Sequence, residues 1–187
     1  QTSSIDLNSI EPAELQHLFK QAEQDRTKII LLYLNSAIPV HTFWAVFLNQ
    51  DSSVPGSTLN VGWGTHANKN IAASRALTEA AQSRLGFIHG ARDDLLKKPV
   101  SQAKDVQQSK AFQFFNHLKA NKKWDTIENH EQLIAAEDLH QLLRKILEQL
   151  NQAGHNQIHR FDLTQPEIDI PVVKLIIPSM QFNPRLF

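Results

Sequence analysis

Cysteine is absent from the 187 residues, which excludes disulfides, thiolate zinc sites and a cysteine nucleophile and suits a reducing, cytoplasmic setting. An excess of either charge is missing too: 19 Lys and Arg balance 19 Asp and Glu, so there is no basic field for nucleic acid. The densest basic cluster, Lys119 to Lys123, is followed at once by Trp124 and Asp125. Long apolar runs are lacking; Ile29 to Leu34 and Val172 to Ile177 are strand-length and too short to cross a bilayer. No charged and apolar leader opens the chain, and a start at Gln1 rather than Met leads to the expectation of residues upstream. What remains is ordinary for a globular domain, with 41% hydrophobic and 20% charged residues in a length that supports a sizeable core.

Apolar periodicity predicts a helix over 12–24 (Leu15, Leu18, Phe19, Ala22) with Pro12 in its first turn, then strands over 27–34 and 39–47. Residues 49–58, with Asp51, Ser52, Ser53, Pro55 and Gly56, read as a loop. Near the end the same order returns: an amphipathic helix over 138–153 stopped by Gly154, then strands over 158–163 and 171–177. Ile38-Pro39-Val40 and Ile170-Pro171-Val172 open the second strand of each unit, which suggests an internal duplication. Between the units come a long helix over 68–88 and a connecting segment over 97–137. That segment carries one predicted helix at 103–119 (Phe112, Phe115 and Leu118 on one face) and an otherwise exposed connection. The fold class expected is α+β, a mixed or antiparallel sheet packed with helices.

The chemistry concentrates in Gly62-Trp63-Gly64-Thr65-His66 and the helix after it. The two glycines permit close backbone approach or unusual dihedrals ahead of a helix start. Asn68 or Asn70 can cap that helix, whose free N–H groups could meet an anion such as phosphate. Arg75, Glu79, Gln82 and Gly86 recur at i, i+4, i+7 and i+11 and share a stripe on an alanine-rich helix. Polar groups on a half-buried helix are costly without partners. The stripe is therefore either a ligand wall or a solvated face with an Arg75–Glu79 pair. Nine histidines invite a metal, but the i, i+4 pair His155 and His159 follows a helix stop and lacks a nearby carboxylate in a zincin arrangement.

Three ordered stretches, Gly64-Thr65-His66-Ala67, Arg75-Ala76-Leu77-Thr78-Glu79-Ala80-Ala81-Gln82-Ser83-Arg84 and Gly90-Ala91-Arg92-Asp93-Asp94-Leu95, closely resemble the pattern of the YcaO family. The late run Ile170 to Pro178 resembles that family's last strand, with Ser179-Met180 where the family has Gly-Leu. The resemblance covers most of the chain and matches the C-terminal half of a YcaO domain, 1–187 forming a single domain whose N-terminal half is absent. It implies ATP and Mg2+ as cofactors and phosphorylation of a peptide backbone amide, giving an azoline, a thioamide or an amidine. By that likeness Glu79 is the magnesium or nucleotide contact, Gln82 a polar neighbour, and Arg75 and Arg84 phosphate contacts or supports. His66 is either part of the site or a loop histidine bonded to backbone. Arg84 lies roughly opposite Arg75 on an ideal helix, so of the two it is the structural one. The implied partners are a peptide or protein substrate, a leader-peptide-binding or TfuA-like protein, and a second copy in a homodimer, with neither nucleic acid nor membrane. Three family features are missing: a second glycine-containing loop and a Glu-x-x-Glu-Arg helix, both of the family's first half, and a Pro-x-Pro-x-Pro ending in place of Gln181 to Phe187. The fragment alone is thus expected to be inactive. The alternative is a non-catalytic module that binds a peptide or completes a partner's ATP site.

Overall fold

The structure, a computed structural model, describes residues 2–49, 58–89, 103–130, 133, 135 and 138–180. It divides into two compact units, Gln1–Ile134 and Ala135–Phe187.

In the first unit, strands β1 (Thr2–Ser4), β2 (Thr27–Leu34), β3 (His41–Asn49) and β4 (Leu59–His66) form an antiparallel sheet in that order. β2 reads as an unbroken apolar run because both of its faces are covered, which removes the usual alternation. On one face, Ile29, Leu31, Phe43, Ala45 and Phe47 meet helix α1 (Ala13–Gln24) and helix α2 (Lys69–His89). On the other, Ile30, Leu32, Val46 and Leu48 meet Phe112 and Phe115. The helix predicted over 103–119 is two, α3 (Ala103–Gln108) and α4 (Lys110–His117). Ser109 leaves helical geometry between them and its hydroxyl caps the Phe112 N–H.

The stretch expected to be exposed connection is in part structural. Trp124 and Ile127 are 4% and 3% exposed, and Trp124 stacks on Phe43 with ring centroids 5.4 Å apart. Lys69 Nζ donates to the carbonyls of Trp124 (3.2 Å) and Ile127 (2.9 Å), tying this segment to the start of α2. Ser4 and Asp6 bond to Asn121 and Lys122, fastening β1 to the same segment.

The second unit holds α5 (Leu139–Gln152) and an antiparallel hairpin of β5 (His159–Asp162) and β6 (Val173–Ile176). Asp138 Oδ1 caps the Gln141 N–H at 2.7 Å. Gly154 at φ 89° ends the helix as the sequence predicts, its N–H reaching Asn151 O and the next N–H, of His155, reaching Leu150 O. The helix–strand–strand order therefore does recur. The two tripeptides, however, sit differently: Ile38 is 8% exposed and Ile170 61%, so the duplication gains no support beyond element order.

Candidate functional site

Gly62 and Gly64 are not a loop before the helix; they lie inside β4 and face α2. A Cβ at Gly64 would stand 2.0 Å from Ala72 O and 2.5 Å from Ala76 N, and one at Gly62 would stand 2.2 Å from Ala80 N. The role is close approach, and neither glycine has positive φ. Ala72, Ala76 and Ala80, spaced by four, lay a small-residue ridge against the two glycines, and all three are fully buried. At the helix start the expected asparagine cap is present and takes two of the first N–H groups. Asn68 Oδ1 already accepts from Asn70 N (2.8 Å) and Ile71 N (3.4 Å).

This tight seam decides where the polar stripe goes. With α2 pressed onto β4, Arg75 and Glu79 reach over to the outer edge of that strand. Glu79 Oε2 accepts from the Trp63 N–H at 3.0 Å, and Arg75 Nη1 donates to Thr65 O at 3.2 Å. The stripe is thus neither a bare solvated face nor buried: both residues are exposed and both bond to the edge of β4 that no other described strand pairs with. Glu79 Oε1 has no partner among the described residues, and four of the five Arg75 N–H donors remain beyond its bond to Thr65. His66 ends the same strand; its Nδ1 accepts from the Asn68 N–H at 2.9 Å. Burial first, and the Arg75 charge second, lower its pKa, so it is neutral at pH 7 with Nε2 left over. His66, Arg75 and Glu79 therefore share one seam, and Gln82 stands exposed one turn further along. Arg84 is apart from them, ion-paired with Asp25 at the end of α1. The third motif, residues 90–95, lies outside the described residues, as do 50–57 and the ending 181–187.

Sequence reasoning missed a second cluster beside this seam. His41 stands opposite His66 in register, is fully buried, and stacks on His130 with centroids 4.4 Å apart. Burial chiefly, then the charges of His130, Lys69 and His66, push its pKa down to about 4. Its Nδ1 lies 3.4 Å from Tyr33 Oη, while Nε2 is buried with no partner among the described residues. A histidine opening an otherwise apolar strand was the available signal. Across the sheet, Trp63 stacks on Trp44 at 4.7 Å and 5°, so it packs a ring rather than standing alone between its glycines.

The described residues contain no group of three or more His, Asp or Glu side chains placed to hold a metal. Glu79 nonetheless suits one ligand position: it is a hard oxygen donor with an unpartnered atom, and Mg2+ characteristically takes one or two carboxylates plus phosphate oxygens.

The family profile described as YcaO cyclodehydratase, ATP- and Mg2+-binding, matches residues 1–181. This chain belongs to the YcaO family. A Rhizobium leguminosarum bv. trifolii protein, known as an uncharacterized protein in the tfuA 3′ region, is 26% identical over 97% of this YcaO chain and 43% of its own length. The structure of YcaO from Methanopyrus kandleri bound with AMPPCP and Mg2+ superposes with a TM-score of 0.70 at 19% identity, covering 94% of this chain and 44% of that one. A heterocyclase in complex with substrate and cofactor gives 0.72 at 20% identity, covering 97% and 23%. These structural likenesses establish the α+β fold with its antiparallel sheet packed against helices. The chain spans less than half the length of the curated relatives it matches. No described helix is long and apolar enough to cross a membrane.

Proposed function

We propose that this chain is the C-terminal part of a YcaO enzyme that uses ATP and Mg2+ to activate a peptide backbone amide, with the N-terminal half of the domain supplied by residues not present here. The reading is carried by one observation: Glu79 and Arg75, on the family's signature helix, are aligned along the outer edge of β4 with binding capacity to spare. Bound there, ATP with Mg2+ would supply a phosphoryl group to the amide oxygen, or to that of its adduct with a nucleophile, turning a poor leaving group into phosphate. Glu79 would offer Oε1 to the metal, its carboxylate held in place through Oε2 by the Trp63 amide. Arg75 would place its remaining donors toward phosphate oxygens, where bidentate guanidinium contacts are strong. Gln82 would add a polar contact one turn along, and His66, neutral and accepting at Nδ1, could donate its Nε2–H. Arg84 would support the helix through Asp25 rather than touch nucleotide.

The product, whether azoline, thioamide or amidine, follows from the nucleophile delivered. A peptide or protein is the substrate in this reading. A leader-binding or TfuA-like protein is the proposed partner, the latter prompted by the genomic position in the Rhizobium relative's name. A homodimer and a cytoplasmic location complete the proposal. Because no three-residue metal group exists among the described residues, a second reading stands: a non-catalytic module that binds a peptide or completes a partner's ATP site.

Calorimetric titration of MgATP separates the two. The enzyme reading expects binding by a protein carrying the entire domain and its loss in Glu79→Gln. Binding that survives Glu79→Gln, or no binding by the entire domain, overturns it in favour of the module.

A further inference from the structure

One end of the sheet gathers basic side chains from four parts of the chain. His41 opens β3 and stands opposite His66, the last residue of β4. Three positions later Lys69 begins α2, and its Nζ bonds the carbonyls of Trp124 and Ile127. The connecting segment then lays the His130 ring on the His41 ring, with centroids 4.4 Å apart and planes 26° from parallel. His41 is fully buried while His130 is half-buried, so residues 127–130 form part of the cover over the inner ring.

Such a pair tolerates one charge state. Two neutral imidazoles stack, whereas two imidazolium rings this close repel, and the inner one would carry its charge away from water. The groups that act on the His41 charge are His130 from the connecting segment, Lys69 from α2 and His66 from β4, and all three oppose it. Tyr33 of β2, with Oη 3.4 Å from His41 Nδ1, is a phenol whose pKa burial raises, so it brings no anion. The carboxylates of this corner serve other cations. Glu128 favours a proton on His130, while Asp125 and Glu11 favour the charge on Lys69. Protons taken up here therefore add like charge against Lys69, and relief comes from parting the rings and admitting water. Opening brings a second gain: His41 Nε2, buried with no partner among the described residues, then bonds to water.

We propose that His41 and His130 form an acid-released latch: stacked, they hold residues 127–130 against this end of the sheet near neutral pH, and protonated, they let that stretch go. His41 titrates at about 4 when covered and at its ordinary 6.5 when uncovered. The uncovered state thus binds more protons and gains as pH falls from 6.5 toward 4. Between pH 7 and pH 5 the ratio of open to closed rises about twentyfold from His41. Burial lowers His130 as well, which adds in the same direction. Release takes the Ile127 carbonyl from Lys69, so acid loosens the corner where β4 turns into α2. The latch does not depend on nucleotide chemistry.

The test uses this chain with no nucleotide present. Amide exchange followed by NMR at pH 7 and pH 5 compares the Ile127 N–H, bonded to Trp124 O, with the Val46 N–H inside β3. After correction for the intrinsic pH dependence of exchange, protection at Ile127 is expected to fall about twentyfold. That opening exposes little surface, so it should respond weakly to urea below the unfolding transition, whereas exchange at Val46 should respond strongly. Ring titrations give a second readout. His130→Ala, at a half-buried position outside the sheet, uncovers His41 and is expected to raise its titration by about one pH unit or more. Unchanged Ile127 protection between pH 7 and pH 5 overturns the inference. So does protection that follows Val46 in both pH and urea, which would make the event global unfolding. A His41 titration as low in His130→Ala as in the parent overturns it too, since residues 127–130 would then not be the cover.

Discussion

Replacing Gly64 by alanine adds one carbon, and the geometry around it says what must follow. The new Cβ would meet Ala72 O at 2.0 Å and Ala76 N at 2.5 Å, both main-chain atoms of α2. Overpacking in a core costs about 1–3 kcal/mol when side chains can shift rotamer. Here no rotamer is available, and relief requires the helix to lift from β4. Lifting also stretches the bonds from Arg75 to Thr65 and from Glu79 to Trp63, each worth about 1 kcal/mol net. The expected loss is therefore about 3 kcal/mol or more. With a urea dependence of about 1–3 kcal/mol per molar, the unfolding midpoint falls by roughly 1–3 M. Tryptophan fluorescence reads the right unit, because Trp44, Trp63 and Trp124 all lie within Gln1–Ile134. Two companions sharpen the result. Gly86→Ala, in the same helix with nothing within 4 Å of the added carbon, should stabilise by about 0.5–1 kcal/mol. Ala72→Gly added to Gly64→Ala should not rescue, since the obstructing oxygen belongs to the backbone. A Gly64→Ala protein within about 0.5 kcal/mol of the parent, or one restored by Ala72→Gly, would refute the packing argument.

Stability should fall as pH drops from 6.5 toward 4, because His41 binds its proton in the unfolded chain at its ordinary pKa of 6.5 and in the folded one only near 4. The upper bound is about 3 kcal/mol, and urea midpoints of the parent and His41→Gln across that window should show the variant's curve flattened. Glu79→Gln should keep the Trp63 hydrogen bond and lose magnesium-dependent nucleotide binding in the entire domain, whereas Glu79→Ala should lose both, with about 1 kcal/mol of stability, by calorimetry and urea unfolding. Arg84→Ala should change nucleotide affinity less than twofold in that same protein while Arg75→Ala lowers it about tenfold or more, since Arg84 is occupied by Asp25 and Arg75 lies beside Glu79 on the β4 edge. In the second unit, Gly154→Ala should cost about 1 kcal/mol of helix stability, read by circular dichroism, because φ 89° is strained for any residue with a Cβ.

Local patterns were legible where one neighbour dominated. β2 occupies the predicted 27–34, and α2, α5 and the Gly154 stop lie within a residue or so of their expected places, because apolar period and terminal residues act within a few positions. Legibility failed where a residue's role is set across the fold. Gly62 and Gly64 resemble a phosphate loop in one dimension, and their service to the alanine ridge shows only when α2 folds back on β4. Trp124 and Ile127 sit in a polar stretch, and their burial depends on Lys69 and Phe43, far away in sequence. Ser109 stands inside an apolar pattern of helical period and breaks it by capping, a local signal outvoted by its surroundings. For the site, the likeness of the α2 motif to a family pattern pointed to Arg75 and Glu79, but spacing alone does not disclose that their partners are main-chain groups of an edge strand. His41 and His130 come from segments nearly ninety residues apart (41 and 130), so their stack has no trace in either neighbourhood.

The fastening of β1 has a consequence in time. Ser4 waits for Asn121 and Lys122, Asp6 for Lys122, and Ser9 Oγ for the Trp124 N–H, partners more than a hundred positions later. On the ribosome, at about 5–20 residues per second, β1 can pair with β2 early but lacks its anchors at residues 121–124 for several seconds more. The β2–β3–β4 meander and α2 can form in that interval from nearer contacts, leaving β1 held by β2 alone until residue 124 is made. The latch on β1 thus closes last in this unit, and the interval before that closure is when a loosely held β1 most readily gives up its place on β2 to another nascent chain.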